Sequence, residues 1–352
     1  MTLLIVALHA AMLVVFAANM VYLRRQKEAG VPAASLPFVS VLIPARNEAA
    51  NLTRLLPGLL AQDYPRLEVI VYDDGSTDAT PDVLRAHASD RLRTLRGEGP
   101  PPGWMGKVHA LHQAARSAAG EVFLFLDADT EWLDAKALAR LIQRYLAIPE
   151  PGVLTVLPHF RGGGLLLVSI VPNAMLMGLP WPLVRRLASP ALGAVNGQCW
   201  IISRDLYREH EPHAAVADEI LEDVMIGRYL KRRGVTPSIV DATGELAVYM
   251  YGSLAEARAG FRKNAYLLFG GTPGRFIPLF VFFAITYTVA PLVAWPLLGL
   301  VYLNKTLTDR RSRLPVWVSL FAPLSYVLAS IVQIDSALAH RSGRVQWKGR
   351  TV

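Results

Sequence analysis

The 352-residue chain contains a single cysteine, Cys199, which excludes an intrachain disulfide and fits a reducing compartment. It also lacks the glycine patterns of two common nucleotide-binding folds. A dinucleotide fold requires Gly-x-Gly-x-x-Gly after its first strand, where this chain has Pro44-Ala45-Arg46-Asn47-Glu48. The segment Gly103-Trp104-Met105-Gly106-Lys107 lacks the first glycine of a phosphate loop at the required spacing and the Ser or Thr after the lysine. Both nucleotide-binding motifs are therefore excluded.

Three short apolar runs are present instead, and each is followed by acidic residues. The runs cover residues 39–44, 68–72 and 122–126. Nearly continuous apolar runs of this length are typical of strands that are buried on both faces of a parallel sheet. The acids that follow them are Glu48 after the first run, Asp73 and Asp74 after the second, and Asp127 and Asp129 after the third.

Helical patterns separate these predicted strands. Residues 47–62 place leucines on one stripe, and Thr77 or Asp78 can cap a helix that continues to about Ser89. Alternation of strands and helices predicts a doubly wound α/β layer, a mostly parallel sheet with helices on both faces. Ligands of such sheets bind outside the carboxyl ends of the strands, so we expect the acids to lie at one binding edge.

Asp127 and Asp129 are two residues apart, so in an extended strand both carboxylates project to one side. They can then hold a hard divalent cation against a diphosphate. Solvated acids at a strand end are the alternative, and the pattern alone does not exclude it. Lys107 precedes a predicted helix from Val108 to Ala119, where the helix dipole and backbone N–H groups favour phosphate, although a plain turn would have the same sequence.

Four ordered motifs together resemble a family 2 glycosyltransferase of the inverting, GT-A type, from about residue 38 to 265. The motifs are Ser40-Val41-Leu42-Ile43-Pro44-Ala45-Arg46-Asn47-Glu48, Asp73-Asp74-Gly75-Ser76-Thr77-Asp78, Gly103-Trp104-Met105-Gly106-Lys107 and Asp127-Ala128-Asp129. The resemblance implies donor binding by Pro44, Glu48, Asp73, Asp74, Lys107 and Asp127, with Mg²⁺ or Mn²⁺ held by Asp127 and Asp129.

An inverting transfer to a hydroxyl group needs a carboxylate that removes the acceptor proton. The family's Glu-Asp motif matches Glu222-Asp223, which implies that Asp223 is the base and that Glu222 lies on the acceptor side. Acids that favour a helix N-terminus are the alternative explanation, and they account well for Asp218 and Glu219. The segment from Asn196 to Trp200 resembles the acceptor-side lining, which implies roles for Asn196 and Gln198; ordinary loop packing is the alternative.

One motif of the polymer-forming members, Gln-x-x-Arg-Trp, is absent after Asp223. Its absence favours the transfer of a single sugar. The segment Gly260-Phe261-Arg262-Lys263-Asn264 instead resembles the bacterial branch that modifies carotenoids and hopanoids, which implies acceptor-side roles for Arg262 and Lys263. The closing Trp347-Lys348-Gly349-Arg350 also resembles that branch, although a basic aromatic end is a common membrane-interface anchor.

Apolar residues make up 53% of the chain and the mean hydropathy is +0.32, values that favour a membrane protein. Residues 3–23 contain only His9 and Asn19 as strongly polar members, enough for one spanning helix. A cleaved signal peptide is disfavoured because the basic residues Arg24, Arg25 and Lys27 follow the run. The same residues place the catalytic domain in the cytoplasm. The formal charge of +8 suits an anionic membrane surface, and no nucleic-acid motif appears.

Two further apolar regions leave alternatives open. Residues 276–303 form either one kinked helix or a hairpin of two, before another pass at 315–338. The uncharged segment 164–184 contains three prolines, so it is either a buried core segment or an interfacial one, with Arg185 and Arg186 at lipid phosphates. The predicted organisation is a transmembrane anchor at 1–25, a GT-A domain at 36–265 with an apolar insert at 164–188, a transmembrane region at 276–338 and a basic tail at 339–352.

The resemblance and the membrane pattern together predict a multi-pass enzyme of the inner (plasma) membrane. It would move one hexose from a nucleotide sugar, for which we expect a UDP-hexose, to a lipid-like acceptor such as a carotenoid, hopanoid or glycolipid precursor. A polyprenyl-phosphate sugar transferase and a non-catalytic membrane scaffold are the alternatives. The sequence does not define the sugar, the nucleotide base, the acceptor, the side of the C-terminus or the oligomeric state.

Overall fold

The computed structural model describes residues 2–343, 346–347 and 350–351. Of the predicted basic tail, Arg344, Val345, Lys348, Gly349 and Val352 lie outside the described residues. The chain divides into two compact units. The sheet unit comprises Tyr22–Pro158 and Trp181–Val248, and the helical unit comprises Met1–Val21, His159–Pro180 and Tyr249–Val352.

The strands are β1 Val39–Ala45, β2 Leu67–Asp74, β3 Leu92–Gly97, β4 Val122–Leu126, β5 Thr130–Trp132, β6 Gly152–Leu157, β7 His159–Phe160, β8 Cys199–Ser203, β9 Thr236–Asp241, β10 Leu246–Val248, β11 Gln346–Trp347 and β12 Arg350–Thr351. The helices of the sheet unit are α2 Ala49–Leu60, α3 Thr80–Ala86, α4 Gly106–Ser117, α5 Ala137–Leu146, α8 Trp181–Val184, α9 Arg204–His210, α10 Pro212–Ala215 and α11 Glu222–Arg232, and α1 Thr2–Arg24 enters this unit at its end. The helical unit contains α6 Leu165–Val168, α7 Ile170–Asn173, α12 Leu254–Leu268, α13 Pro273–Ala284, α14 Ala290–Val293, α15 Trp295–Arg311, α16 Val316–Leu320 and α17 Ala322–Arg341.

A seven-stranded sheet in the order β3-β2-β1-β4-β8-β6-β9 forms the centre of the sheet unit. β1 pairs in parallel with β2 and β4, β2 with β3, and β6 with β9, whereas β8 is antiparallel to both β4 and β6. The predicted doubly wound, mostly parallel α/β sheet is therefore confirmed. The three strands predicted from the apolar runs differ from β1, β2 and β4 by at most two residues at either end.

The continuous apolar runs of β1 and β4 follow from burial on both faces of this sheet. Val41 and Ile43 belong to the hydrophobic core on one face, and Leu42 belongs to the core on the other. The leucine stripe of α2 packs in the first core and α4 packs in the second, so helices cover both faces. Because side chains alternate along a strand, nearly every position of these two strands is apolar. The exception is Ser40 of β1, which is buried and accepts the N–H of Gly120 at 2.9 Å.

Helix α3 differs from its predicted start. It begins at Thr80, after Ala79, so neither Thr77 nor Asp78 is the N-cap residue. The side chain of Asp78 nevertheless accepts the backbone N–H of Thr80 at 2.9 Å. The turn before α3 is longer than expected because its polar side chains bond to the end of β1, as described below.

Among the described residues of the chain, three helical stretches are long and apolar enough to cross a membrane: Thr2–Arg24, Pro273–Val293 and Ala322–Arg341. The predicted 276–303 segment is not one helix. It breaks at Ala294, where φ is −132° and ψ is 86°, and α15 begins at the next residue with Pro296 in its first turn. Pro296 fits the first turn of α15, but in a helix that continued from α14 it would have no N–H to donate and its ring would clash with the carbonyl of Leu292, which explains the break.

His9 and Asn19, the strongly polar residues within the apolar run of α1, are both fully buried. Asn19 Nδ2 donates to the carbonyl oxygens of Leu176 at 2.8 Å and Leu179 at 2.9 Å. The imidazole of His9 lies 2.8 Å from Asn304 Nδ2. These contacts fix α1 against other segments of the helical unit by interhelical hydrogen bonds, the usual role of polar side chains in packed membrane helices.

The predicted apolar insert at 164–188 is a chain of short helices rather than one spanning helix. Leu176 and Met177 are buried, whereas Leu183 and Leu187 are 41% and 48% exposed. The prolines and the helical turn Ala174–Gly178, which has π geometry, account for the interruptions. Its interfacial position remains a prediction.

Candidate active site

The acidic strand ends lie side by side because β2, β1 and β4 are adjacent and parallel. The last residue of β1, Ala45, is in register with Asp73 of β2. Asp127 follows directly after β4. The expectation that the carboxyl ends of these strands form one edge of the sheet therefore agrees with the strand pairing.

Hydrogen bonds connect the turn after β1 with the turn after β2. Ser76 Oγ accepts the N–H of Asn47 at 2.8 Å, and Asn47 Oδ1 accepts the N–H of Thr77 at 2.8 Å. Asn47 has a φ of 53°, a left-handed conformation that asparagine tolerates better than most residues. Thr80 Oγ1 accepts the N–H of Glu48 at 2.8 Å. The turns after β1 and β2, which contain the first two sequence motifs, are thus held together by these hydrogen bonds.

The predicted donor-binding residues at the ends of β1 and β2 differ in their exposure. Asp73 and Asp74 are almost fully buried, and Asp73 Oδ1 accepts the N–H of Ser76 at 2.9 Å. Arg46 lies 3.9 Å from the carboxylate of Asp74. Pro44 and Glu48 are half-buried. Asp73 therefore braces the turn that follows β2, and contact of these four residues with a donor remains a prediction.

Lys107 bridges two of the predicted site acids. Its Nζ lies 2.7 Å and 2.9 Å from the two carboxylate oxygens of Asp127 and 2.9 Å from Glu222 Oε1. Lys107 is the second residue of α4, so it lies in the first turn of that helix rather than before it. The side chains of Asp127 and Glu222 are 22% and 13% exposed, which makes this a partly buried charge cluster open to solvent on one side.

The charges of this cluster depend on one another. Burial acts to lower the pKa of the Lys107 ammonium, but the carboxylates of Asp127 and Glu222 outweigh it and hold the pKa well above its ordinary value. Burial also raises the pKa of Asp127, an effect that Lys107 opposes. Lys107 therefore stays positively charged, and its charge offsets the repulsion between the carboxylates of Asp127 and Glu222.

Asp223 lies in the first turn of α11, beside Glu222. Its Oδ2 accepts the N–H of Gly197 at 3.1 Å, and its Oδ1 accepts the N–H of Val224 at 2.7 Å. Burial and the neighbouring charge of Glu222 raise its pKa to about 6, while Lys107 and the two N–H groups oppose the shift. A carboxylate with a pKa near neutrality is suited to general-base chemistry.

The Asn196–Gln198 segment connects the two halves of the site. Gln198 accepts the backbone N–H of Asp127 at 3.1 Å, while its neighbour Gly197 holds Asp223. Asn196 is itself fixed, because its N–H donates to Thr155 Oγ1 at 2.7 Å and its side-chain amide donates to Gln198 Oε1 at 3.1 Å. Asn196 and Gln198 therefore hold the backbone around Asp127 and Gly197 in place. Their contact with an acceptor remains a prediction.

Two of these supporting residues were missed by sequence reasoning. Gly197 lies inside a segment that the sequence singled out, but nothing showed that its N–H would reach Asp223. Thr155 is fully buried within the otherwise apolar strand β6. A lone hydroxyl in such a run was the available signal, because buried polar groups need a hydrogen-bond partner.

The residues predicted to bind metal form an incomplete ligand set. The described part of the chain contains no group of three or more His, Cys, Asp or Glu side chains arranged to hold a metal ion. Asp127 and Asp129 supply hard carboxylate oxygens, which suit Mg²⁺ or Mn²⁺. Mg²⁺ is commonly bound by one or two carboxylates together with substrate phosphates. Ala128 and Asp129 lie in the turn between β4 and β5, so the extended-strand geometry predicted for the two carboxylates is not observed. Their oxygens are still of the type that suits a cation arriving with a diphosphate.

Arg262 and Lys263 belong to the helical unit, on α12. Arg262 Nε lies 3.4 Å from Asp335 Oδ1, and the backbone carbonyl of Lys263 is 2.9 Å from the imidazole of His340. Both contacts join α12 to α17, so both residues help to hold these two helices together. Their predicted acceptor-side role is untested.

Comparison with known proteins gives concordant results. Residues 40–211 match the family model described as Glycosyl transferase family 2. A 4,4'-diaponeurosporenoate glycosyltransferase of Staphylococcus aureus (strain bovine RF122 / ET3-1) is 25% identical over 337 residues, which cover 89% of this chain and 87% of that protein. The protein of the same name from strain USA300 is 35% identical over 121 residues, 34% of this chain and 32% of that protein.

Among solved structures, the mannosyltransferase PcManGT from Pyrobaculum calidifontis, in complex with GDP-Man and Mn²⁺, has a TM-score of 0.51 and 22% identity. The match covers 93% of this chain and 99% of that one. The fold is thus shared across nearly the whole chain. The family match contains the ends of β1, β2 and β4 but stops before Glu222 and Asp223.

The predicted family resemblance and the predicted enzyme class are confirmed. Residues 40–211 form a family 2 glycosyltransferase domain, and the protein is a glycosyltransferase with a GT-A fold.

Proposed function

We propose that this glycosyltransferase moves a single hexose, with inversion, from a nucleotide sugar to a lipid-like hydroxyl or carboxyl acceptor at the cytoplasmic face of the inner (plasma) membrane. The observation that carries the proposal is the Lys107 bridge. It joins Asp127, the predicted ligand of the donor metal, to Glu222, the neighbour of the predicted base. A single charge cluster therefore contains a residue proposed to hold the departing diphosphate and the neighbour of the residue proposed to activate the acceptor.

On the donor side, Asp127 and Asp129 would hold Mg²⁺ or Mn²⁺, with Glu48, Asp73 and Asp74 at the nucleoside. The cation would neutralise the charge that develops on the departing diphosphate. Lys107 reaches Asp127 from the first turn of α4, where backbone N–H groups also favour phosphate oxygens. We infer that Lys107 turns from the Asp127 carboxylate towards the diphosphate when the donor binds. UDP-hexose is the donor that we expect.

On the acceptor side, Asp223 would remove the proton of a hydroxyl group as it attacks the anomeric carbon. Two backbone N–H groups fix the orientation of its carboxylate, and a pKa of about 6 leaves it ionised at neutral pH yet able to accept a proton. A carboxylate acceptor is already an anion and would not need this step.

A lipid acceptor is supported by the three helical stretches that could cross a membrane and by similarity to a protein named for a carotenoid-type acceptor. The buried, hydrogen-bonded Asn19 and His9 favour retention of α1 in the mature protein rather than its loss as a signal peptide. Arg24, Arg25 and Lys27 follow this helix and favour a cytoplasmic catalytic domain.

A polyprenyl-phosphate sugar transferase is the second candidate. Its acceptor is an anion, so Asp223 would then have little effect on the rate. The sequence feature that keeps this candidate open is the absence of the Gln-x-x-Arg-Trp motif, which fits the transfer of one sugar to either kind of lipid.

The test is incubation of membranes that contain the protein with a panel of sugar nucleotides and total lipid extract, followed by mass spectrometry. The expected product is a lipid whose mass rises by one hexose, formed only with a divalent cation. Membranes with the Asp127→Ala variant are the control. A product with several sugars, or an equal yield in the presence of a chelator, would contradict the proposal.

A further inference from the structure

One face of the sheet unit combines exposed leucines with arginines. Leu183 and Leu187, four residues apart, are 41% and 48% exposed, so this segment presents two large apolar side chains to its surroundings. Arg186 between them is also exposed. The chain reaches this segment directly after the apolar helical stretch Leu165–Gly178.

Helix α11 lies beside this segment, and two contacts fix its direction. Lys231 Nζ donates to the carbonyl oxygen of Val184, and Gly193 lies against the backbone of Gly227. Residues 184–193 therefore run along α11, from near its end towards its middle. Gly227 and Lys231 are one turn apart and face the segment, so Arg228 and Arg232, which follow them, flank it.

The charged residues of the two segments that form this face are all basic. Residues 180–203 contain Arg185 and Arg186 and no acid, and residues 224–240 contain Arg228, Lys231, Arg232 and Arg233 and no acid. Arg228 and Arg232 are exposed. Arg185 donates to Ser238 Oγ at 3.3 Å, which holds its guanidinium beside the same strand that follows α11. Only the first turn of α11 has acids, Glu222 and Asp223, and these belong to the active site.

We propose that this face, made of Leu183, Arg185, Arg186, Leu187, Arg228 and Arg232, docks on an anionic bilayer surface. Exposed leucines insert among acyl chains while arginines bind lipid phosphates, the usual combination at membrane interfaces. An acidic protein or a nucleic acid would bind the arginines but would provide no apolar surface for the two exposed leucines. Because Asp223 begins α11, docking of the same helix would hold the predicted base near the lipid that supplies the acceptor.

The proposal rests on the proposed function only for the membrane location of the enzyme. Its test does not measure sugar transfer, so the two can fail separately. The chain offers a convenient probe because its single cysteine, Cys199, is fully buried and burial raises the pKa of its thiol. Leu187→Cys can therefore be labelled with a thiol-reactive, environment-sensitive fluorophore. Leu146→Cys, at a 37% exposed leucine of the same unit, is the matched control.

The full-length labelled protein is compared in nanodiscs of phosphatidylcholine with and without phosphatidylglycerol. We expect the emission at position 187 to shift to the blue in the anionic discs, and to be quenched by lipids that carry a quencher on their acyl chains. Position 146 should show neither effect. The shift should be lost with Arg228→Glu and Arg232→Glu together, but not with the same charge change at Arg85 and Arg93, which are exposed elsewhere on the unit.

Three results would overturn the proposal. The first is equal emission at positions 187 and 146 in both kinds of disc. The second is an equal shift in neutral and anionic discs, which would mean that the arginines recognise no lipid charge. The third is a shift that survives the change at Arg228 and Arg232.

Discussion

The backbone N–H of Gly197 donates a hydrogen bond to Asp223 Oδ2 at 3.1 Å, and a methyl group at Gly197 would lie 3.1 Å from the β-carbon of Asp223. The predicted base is thus held by a residue with no side chain, and an added side chain would crowd it. The next residue, Gln198, accepts the N–H of Asp127. A single dipeptide therefore sets the spacing between the donor acid and the acceptor base.

Gly197→Ala should lower kcat while leaving donor affinity nearly unchanged. The added methyl group would lie 3.1 Å from the β-carbon of Asp223, so this side chain must move slightly to make room. The loss in rate should be smaller than the ~10²-fold that a misplacement of about 1 Å can cost. Turnover with a hydroxyl acceptor and the Kd of the donor are the two measurements. Gly274→Ala is the control because a methyl group there meets nothing within 4 Å. Unchanged kcat in Gly197→Ala would show that Asp223 is not positioned by this contact.

Asp223→Asn should retain donor binding and lose transfer to a hydroxyl group. Loss of a general base typically costs about 10² to 10⁴ in rate. With a polyprenyl phosphate or another anionic acceptor, a carboxylate included, the same variant should remain active, so it distinguishes a hydroxyl acceptor from an anionic one. Wild-type rates with a hydroxyl acceptor would disprove the role of Asp223.

The pH dependence of the wild type should follow the same carboxyl. Its pKa of about 6 predicts that kcat with a hydroxyl acceptor falls below pH 6, about tenfold for each unit, because the base becomes protonated. The folded pKa lies above the ordinary 3.8, so the contribution of this carboxyl to stability is lost as the pH rises through about 6. The unfolding temperature of Asp223→Asn should therefore fall less than that of the wild type as the pH rises from 5 to 7.5, because the variant has no carboxyl at this position to ionise in this range.

Lys107→Met should weaken donor binding. The lost contact with a charged diphosphate is worth about 1.5–3 kcal/mol, or about 10- to 150-fold in Kd. Binding of Mn²⁺ without nucleotide should instead become tighter, because the ammonium no longer competes for Asp127. Calorimetric titrations with Mn²⁺ and with Mn²⁺ plus UDP measure both effects, and Lys136→Met, at an exposed lysine of the same unit, is the control. Equal affinities in wild type and variant would refute the role of Lys107.

Local patterns in the sequence were sufficient to predict β1, β2 and β4, because strands buried on both faces are nearly continuous apolar runs and acids stand at or after their carboxyl ends. They were insufficient for β8, which enters antiparallel between β4 and β6 although it is far from both along the chain. The partners of Lys107 depend on that same long-range arrangement. The acids and Lys107 could therefore be identified from the sequence. The contacts by which Lys107 joins Asp127 to Glu222, and the contact of Gly197 with Asp223, could not.

Asp127→Ala and Asp129→Ala should each abolish the part of donor affinity that depends on Mn²⁺. Two carboxylates are too few to bind the ion tightly without a diphosphate, so removal of either leaves an inadequate ligand set. Titration of UDP with and without Mn²⁺ measures the difference. Asp90→Ala, at an exposed acid of the sheet unit, should behave as the wild type. A metal-dependent gain that persists in both site variants would exclude these residues as ligands.

Asn19→Ala should destabilise the helical unit although the residue lies far from the acids in sequence. Its side-chain amide donates to two backbone carbonyls, of Leu176 and Leu179, and interhelical hydrogen bonds in membranes are worth about 0.6–2 kcal/mol. Loss of both should lower the unfolding temperature of the full chain in detergent. Val14→Ala, on the same helix at a 69% exposed position, is the matched control. If both variants unfolded like the wild type, α1 would be a simple anchor, whereas a selective effect of Asn19 would make it an integral part of the folded helical unit.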